Sequence, residues 1–133
     1  MITEDYVSFD TAMLLKEKKF NEPCFRRYAY GVPIEHGVSD KLCYFRNSGL
    51  SKEECTAHNL AHVMKWLREV HNLVINPVTT SDRLKDVYGK WEVDIYYYDS
   101  GIDATENACG HIFRNSYEDV CEAGIDYCLE NLI

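Results

Sequence analysis

A chain of 133 residues with 46% hydrophobic and 27% charged residues is long enough to bury a core as one globular domain, so we do not expect a disordered protein. Its 14 lysines and arginines against 22 acidic residues give a net charge of −8, which disfavours direct binding to nucleic acid and permits a basic protein partner. The acidic opening segment shows no signal-peptide pattern and no apolar run reaches the length of a membrane span, so we expect a cytoplasmic protein without a membrane partner, whose six cysteines stay reduced.

The first third of the chain predicts one helix followed by two short strands. Ser8 follows the apolar Val7 and precedes an amphipathic stretch, which is the pattern of a helix N-cap, so we expect a helix over residues 9–19. Pro23 then ends this element. Residues 24–49 are rich in aromatic and turn residues, and they favour two strands joined by a loop over residues 33–40.

The middle of the chain predicts its longest helix. Ser51 and Glu54 have the spacing of a capping box, in which each side chain bonds the other residue's backbone amide. A helix opened there is expected to run to about His71 or Asn72. The helical period places the following residues on its core face: Ala57, Leu60, Val63, Met64, Leu67, Val70 and His71.

The last part of the chain predicts three strands and a closing helix. A strand over residues 73–75 ends at or near Pro77, and a polar connection over residues 79–89 holds a helical turn over residues 81–87. Residues 91–98 alternate, with Trp91, Val93, Ile95 and Tyr97 on the buried face, and residues 108–113 return as the next strand. Ser116 caps the final helix. The order favours a single α+β domain over residues 1–133, an antiparallel sheet with three amphipathic helices packed mainly on one face.

The stretch "CTAHNLAH" raises the question of a metal site. On the predicted long helix, Cys55, His58 and His62 share one face, and with a fourth ligand they would suit zinc. The alternative is an ordinary helix surface, because no second pair of residues with zinc-ligand spacing occurs elsewhere. A catalytic zinc would need a base, for which Glu54 and Glu69 are the candidates. No other catalytic motif is present, so we assign no catalytic residues, and an enzyme is the minority interpretation.

A second group of candidate residues belongs to the alternating strand. Its outward side carries Glu92, Asp94 and Tyr96, followed by Tyr98, and exposed tyrosines beside carboxylates are typical of protein-binding surfaces. Trp66, to the side of the helix core, is a further candidate anchor. The alternatives are that the tyrosines pack under loops and that Trp66 shields the edge of the sheet.

Three stretches of the chain carry a resemblance: "YVSFDTAMLLKEKKF", "MKWLREVHN" and "SYEDVCEAGIDYCLENLI". Together they resemble a family of short, uncharacterised proteins encoded by gut bacteria of the Bacteroides group and by their phages and mobile elements. The resemblance implies a cytoplasmic accessory protein of phage or mobile-element origin, and it supplies no activity or site residues. The stretches that it covers are helices, so variable function is expected in residues 24–49 and 79–107.

These observations support three functional hypotheses. The first is a small acidic protein-interaction module that binds a basic partner, including the variant in which its carboxylates mimic nucleic-acid phosphates. The second is a metal-dependent or thiol-dependent enzyme or small-ligand binder centred on Cys55, His58 and His62, with zinc as the cofactor. The third is a homodimer that pairs through an exposed strand edge or through Trp66.

Overall fold

The computed structural model describes residues 5–35, 44–105 and 112–133. It divides the chain into two compact units, Met1–Asn59 and Leu60–Ile133, and each unit contains one antiparallel three-stranded sheet. The α+β class is therefore confirmed. The strands form two small sheets where the sequence predicted one, because the early and the late strands pair among themselves. The single domain over residues 1–133 stays a prediction.

The first unit begins with helix α1, Phe9–Glu17, and its N-cap is confirmed. The Ser8 hydroxyl accepts a hydrogen bond from the backbone amide of Thr11 at 3.3 Å, which satisfies one of the amides that a helix start leaves unpaired. Ala12 and Leu15 are its fully buried apolar residues. The helix ends two residues before the predicted boundary, and Lys19 then adopts a left-handed φ of 65°.

The sheet of the first unit has the order β2-β1-β3, with β1 at Arg26–Ala29, β2 at Val32–Glu35 and β3 at Glu54–Thr56. A tight turn at Tyr30 and Gly31, with φ values of 53° and 78°, joins β1 to β2. Two consecutive positive φ values match the twist of a two-residue hairpin. The chain thus turns before the loop that the sequence predicted over residues 33–40, and residues 36–43 lie outside the described part.

The capping-box prediction for the long helix is wrong. The Ser51 hydroxyl does bond the Glu54 carboxylate at 2.7 Å, but the Glu54 amide bonds the Ser51 carbonyl at 3.1 Å and closes a turn. Strand β3 follows, with Cys55 opposite Tyr28 of β1. Helix α2 spans Leu60–His71, so it starts about two turns later than predicted and ends where predicted.

The second unit alternates helices and strands around the sheet β4-β5-β6. Its strands are β4 at Leu73–Thr79, β5 at Trp91–Tyr97 and β6 at Ile112–Arg114. A short helix α3, Lys85–Tyr88, lies in the connection where a helical turn was predicted. Helix α4, Tyr117–Tyr127, closes the unit and continues as a π-helical turn over Cys128–Leu132. The start of the predicted strand over residues 108–113 lies outside the described residues.

The core of the second unit follows the predicted face of α2 with one correction. Val63 and Leu67 of α2 are fully buried, but Val70 is 61% exposed because it lies on the last turn of the helix. In α4 and the π-helical turn after it, the apolar stripe is buried from Val120 to Leu129, whereas Tyr117 at the start of the helix is 42% exposed. The Ser116 cap is confirmed, since its hydroxyl accepts the Asp119 amide at 3.1 Å.

Helix α4 carries a glycine, Gly124, where it contacts the sheet. A Cβ atom added at Gly124 would lie 3.0 Å from Cγ2 of Ile75 and 3.3 Å from Cγ2 of Val93. Ile75 belongs to β4 and Val93 to β5, so the glycine marks the point where the helix crosses both strands. The odd-numbered residues of these strands therefore face α4. No helix in the described residues combines the length and the apolar character that a membrane crossing requires.

Candidate functional site

The side of the second sheet that faces away from α4 gathers three of the predicted binding residues. Val93 and Ile95 of β5 are buried toward the helix, as predicted. Because side chains alternate along a strand, Glu92, Asp94 and Tyr96 lie on the opposite side. Asp94 is exposed, and Glu92 and Tyr96 are half-buried. Trp91 and Tyr97 lie on the same side of the strand as Val93 and Ile95, as predicted, but Trp91 is half-buried and Tyr97, the last residue of β5, is 37% exposed.

The neighbouring strands extend this surface. In the antiparallel register, Val74 lies opposite Tyr96, Asn76 opposite Asp94, and Val78 opposite Glu92. Side chains of directly opposed residues project to the same side of a sheet. On the other flank, β6 places Phe113 opposite Glu92. We call the resulting surface the outer face, and it consists of Val74, Asn76, Val78, Glu92, Asp94, Tyr96 and Phe113.

The composition of the outer face combines carboxylates with half-buried apolar groups. Two carboxylates stand on the central strand, and Val74, Val78 and Phe113 flank them in a half-buried state. The ring of Tyr88, which is 56% exposed, stacks on Phe113 with the two centroids 5.1 Å apart and extends the apolar margin. An acidic centre with an apolar rim favours a basic side chain whose aliphatic stem lies on the rim.

Tyr98, the fourth predicted surface residue, lies just beyond the strand and is 65% exposed. With Val70 and the end of α2 it lines an open cleft of about 710 Å³. Asn72, between α2 and β4, has a left-handed conformation with φ 60° and links the start of β4 to the end of β5 by hydrogen bonds. Its side-chain amide donates to the Asp99 carboxylate at 2.8 Å and accepts the Asp99 amide at 3.0 Å, and its carbonyl accepts the Tyr98 amide at 2.9 Å. The backbone of Tyr98 is thereby fixed.

Trp66 is a core residue, so its proposed role as an exposed anchor is wrong. Only 8% of it is exposed, and its ring contacts the ring of His71 edge-on, with centroids 4.6 Å apart. Helix α2, which carries both residues, packs against β4 and α4. Burial lowers the pKa of His71 from its usual 6.5. The apolar stripe of α2 is therefore broader than the helical count predicted.

The predicted metal ligands do not share a helix face. Cys55 lies in β3 and is fully buried, and burial raises the pKa of its thiol to about 11 against a smaller opposing effect of Lys16. His58 lies between β3 and α2, with its Nε2 3.2 Å from the carbonyl oxygen of Glu22 and its ring edge-on to Phe20. His62 is an exposed residue of α2. Within residues 5–35, 44–105 and 112–133, no three or more potential ligand side chains cluster as a metal site would require.

Cys24 and Cys128 are also poor nucleophiles. Burial raises the pKa of Cys128 to about 12 and raises that of Cys24. A thiol that stays protonated at neutral pH is a weak nucleophile and a weak metal ligand. These residues, together with Cys55 and Cys121, pack as small apolar groups in the core.

Sequence reasoning missed the contribution of β4 and β6 to the outer face. Val74, Asn76 and Val78 alternate with the inward Leu73 and Ile75, so the alternation of β4 was visible in the sequence. Only the pairing register shows that these three residues lie on the same side of the sheet as Asp94.

No family model, curated protein or solved structure matches the chain.

Proposed function

We propose that this protein is a protein-interaction module that binds a basic segment of a partner protein through the outer face. The observation that carries the proposal is that Glu92, Asp94 and Tyr96 lie on the same face of the sheet, with Asp94 exposed and the other two half-buried, while the opposite face holds the core. Recognition residues and core residues thus alternate along one strand.

Two kinds of contact support a basic partner. Apolar burial at Val74, Val78 and the rings of Tyr96 and Phe113 contributes the non-directional part of binding. Asp94, which is exposed, offers its carboxylate to a lysine or arginine and selects against acidic partners. The net charge of −8 adds long-range attraction for a basic protein and raises the rate of association.

We propose the cytoplasm as the compartment and an accessory role in a phage or mobile element as the context. The support for the compartment is the state of the cysteines: Cys24, Cys55, Cys121 and Cys128 are buried thiols outside any disulfide in the described part of the chain. Reduced thiols are the rule where glutathione and thioredoxin act. The support for the context is the resemblance of the three helical stretches to proteins of that origin.

A charge-reversal pair tests the proposal. Asp94→Lys changes the charge of the outer face, whereas Asp86→Lys makes the same change on the exposed helix α3, outside that face. Both variants are tethered beside the wild type and exposed to bacterial lysate at low ionic strength, and the bound proteins are quantified. We expect the wild type and Asp86→Lys to retain the same basic protein and Asp94→Lys to lose it.

Salt provides the second arm of this experiment. Exposed charge pairs are screened over a Debye length of about 8 Å at physiological ionic strength, so retention should fall steeply as salt is added. If the two lysine variants retain the same proteins in equal amounts, or if the wild type retains none, the outer face is not a binding surface for a basic partner. Circular dichroism of both variants confirms that the fold is unchanged.

A further inference from the structure

The centre of the outer face holds two neighbouring polar side chains, an amide and a carboxylate. Asn76 of β4 lies directly opposite Asp94 of β5, and both residues are exposed. Opposed residues of an antiparallel pair have their Cβ atoms about 5 Å apart on the same side of the sheet. Neither side chain forms a hydrogen bond or an ion pair with any residue that the structure describes. Their polar atoms are therefore open to a group of a partner.

An aromatic ring lies next to this pair. Tyr96 is two residues from Asp94 on the same side of β5, so their Cα atoms are about 7 Å apart. Tyr96 is half-buried, and its hydroxyl likewise has no hydrogen bond within the described part of the chain. A cation is attracted to an aromatic ring when it lies within about 6 Å of the ring centroid. One side chain of a partner can therefore contact the carboxylate, the amide and the ring together.

We propose that the outer face selects arginine over lysine, with Asn76 and Tyr96 as the residues that make the distinction. The inference rests on the proposed function, because it names the basic side chain of the partner that the face binds. A guanidinium is a rigid plane with five N–H donors, whereas the lysine ammonium is a compact point charge. Two N–H groups of the guanidinium donate to the two carboxylate oxygens of Asp94, and a third donates to the side-chain carbonyl of Asn76. The plane stacks on the Tyr96 ring, which an ammonium cannot do.

The first unit of this chain holds an arginine of its own in the same kind of environment. Arg27 forms an ion pair with Glu54, and its Cζ atom lies 5.0 Å from the centroid of the Phe45 ring. A carboxylate and an aromatic ring together thus hold a guanidinium there. On the outer face, Asp94 and Tyr96 provide the carboxylate and the ring, and the guanidinium comes from the partner.

The local contacts, rather than the charge, decide between the two basic side chains. The net charge of −8 attracts arginine and lysine equally, because both carry one positive charge. Stacking on an exposed ring and one additional hydrogen bond each favour the guanidinium by about two- to fivefold. The two contacts together give arginine an advantage of about tenfold in affinity.

Two capped pentapeptides of equal length and charge test the preference. One has arginine at its second and fourth positions and serine elsewhere, and the other has lysine in place of arginine. Each peptide is titrated into the isotope-labelled chain at low ionic strength, and the chemical shifts of the outer-face amides measure binding by NMR. We expect the arginine peptide to bind with a dissociation constant about tenfold lower than that of the lysine peptide.

Substitutions assign the preference to the two residues. Asn76→Ala and Tyr96→Leu should each lower the ratio of the two dissociation constants by about threefold, because each removes one of the two discriminating contacts. Tyr96→Phe keeps the ring, and Thr79→Ala changes an exposed residue on the other side of β4, so both should leave the ratio unchanged. Asp94→Asn should weaken both peptides, because it removes the charge that they share as a target. The NMR spectra also show whether each variant keeps the fold.

The outcomes separate this inference from the proposed function. Equal affinities of the two peptides for the wild type, or a preference that both Asn76→Ala and Tyr96→Leu retain in full, would overturn the selection of arginine. In that case, weaker binding of both peptides to Asp94→Asn would still support a basic partner on the outer face. If neither peptide shifts the outer-face amides at about 5 mM, both proposals fail.

Discussion

The close contact of helix α4 with the sheet makes Gly124→Ala the most informative single substitution. In an unobstructed helix interior, replacing glycine by alanine stabilises the folded state by about 1 kcal/mol, because alanine restricts the unfolded chain and favours helix. At Gly124 the new methyl group would lie 3.0 Å from Cγ2 of Ile75 and 3.3 Å from Cγ2 of Val93. Both neighbours are β-branched, which restricts rotation about χ1, and both are buried, so neither can move away cheaply. Overpacking of this kind costs about 1–3 kcal/mol.

The two effects together predict a net loss of about 1 kcal/mol in the free energy of unfolding for Gly124→Ala. Urea denaturation measures it through the midpoint at constant slope. Ala123→Gly, at the adjacent, half-buried position of the same helix, calibrates the difference in helix propensity between alanine and glycine. If Gly124→Ala proves more stable than the wild type while Ala123→Gly loses about 1 kcal/mol, the helix does not lie against the sheet as closely as described.

Three further substitutions test the cap of α4, the buried network of the first unit and the titration of His71. Ser116→Ala should lower the free energy of unfolding by about 1 kcal/mol in urea denaturation, through loss of the cap on α4. Asn47→Ala should cost about 1–3 kcal/mol by the same assay, because it leaves the buried amide of Thr56 without an acceptor. Burial against Trp66 lowers the pKa of His71 below 6.5, so its contribution to stability is present above pH 6.5 and is lost as the pH falls through the folded-state pKa. The free energy of unfolding of His71→Gln should therefore fall less between about pH 7 and pH 5 than that of the wild type.

Local signals predicted the helix caps correctly where no distant segment competed for the backbone. Ser8 and Ser116 both cap helices in the structure. Ser51 and Glu54 have the sequence pattern of a helix cap as well. The chain from Glu54 onward nevertheless pairs with β1 as a strand, with Cys55 opposite Tyr28. Such pairing depends on residues far away in the chain, so a local motif cannot report it. The assignment of Cys55 and His58 to a helix face failed for this reason.

The outer face was predictable in part. Alternation along β5 identified Glu92, Asp94 and Tyr96 from the sequence, because one side of that strand is buried and the period of two is fixed by geometry. The contribution of Asn76 required the register between β4 and β5, which alternation alone leaves undetermined. Trp66 was misplaced because a helix that contacts two elements buries a wider arc than one stripe.

The alternation of β5 also affects how the sequence of such a protein can change in evolution. Odd-numbered residues of the strand pack against α4, and even-numbered residues face outward. The first set is therefore selected for packing and the second for binding. Substitutions at positions 92, 94 and 96 can accumulate while the packing at 93 and 95 is kept. The binding specificity can thus change by single substitutions on the outer face, and each intermediate sequence keeps the packing that the fold needs.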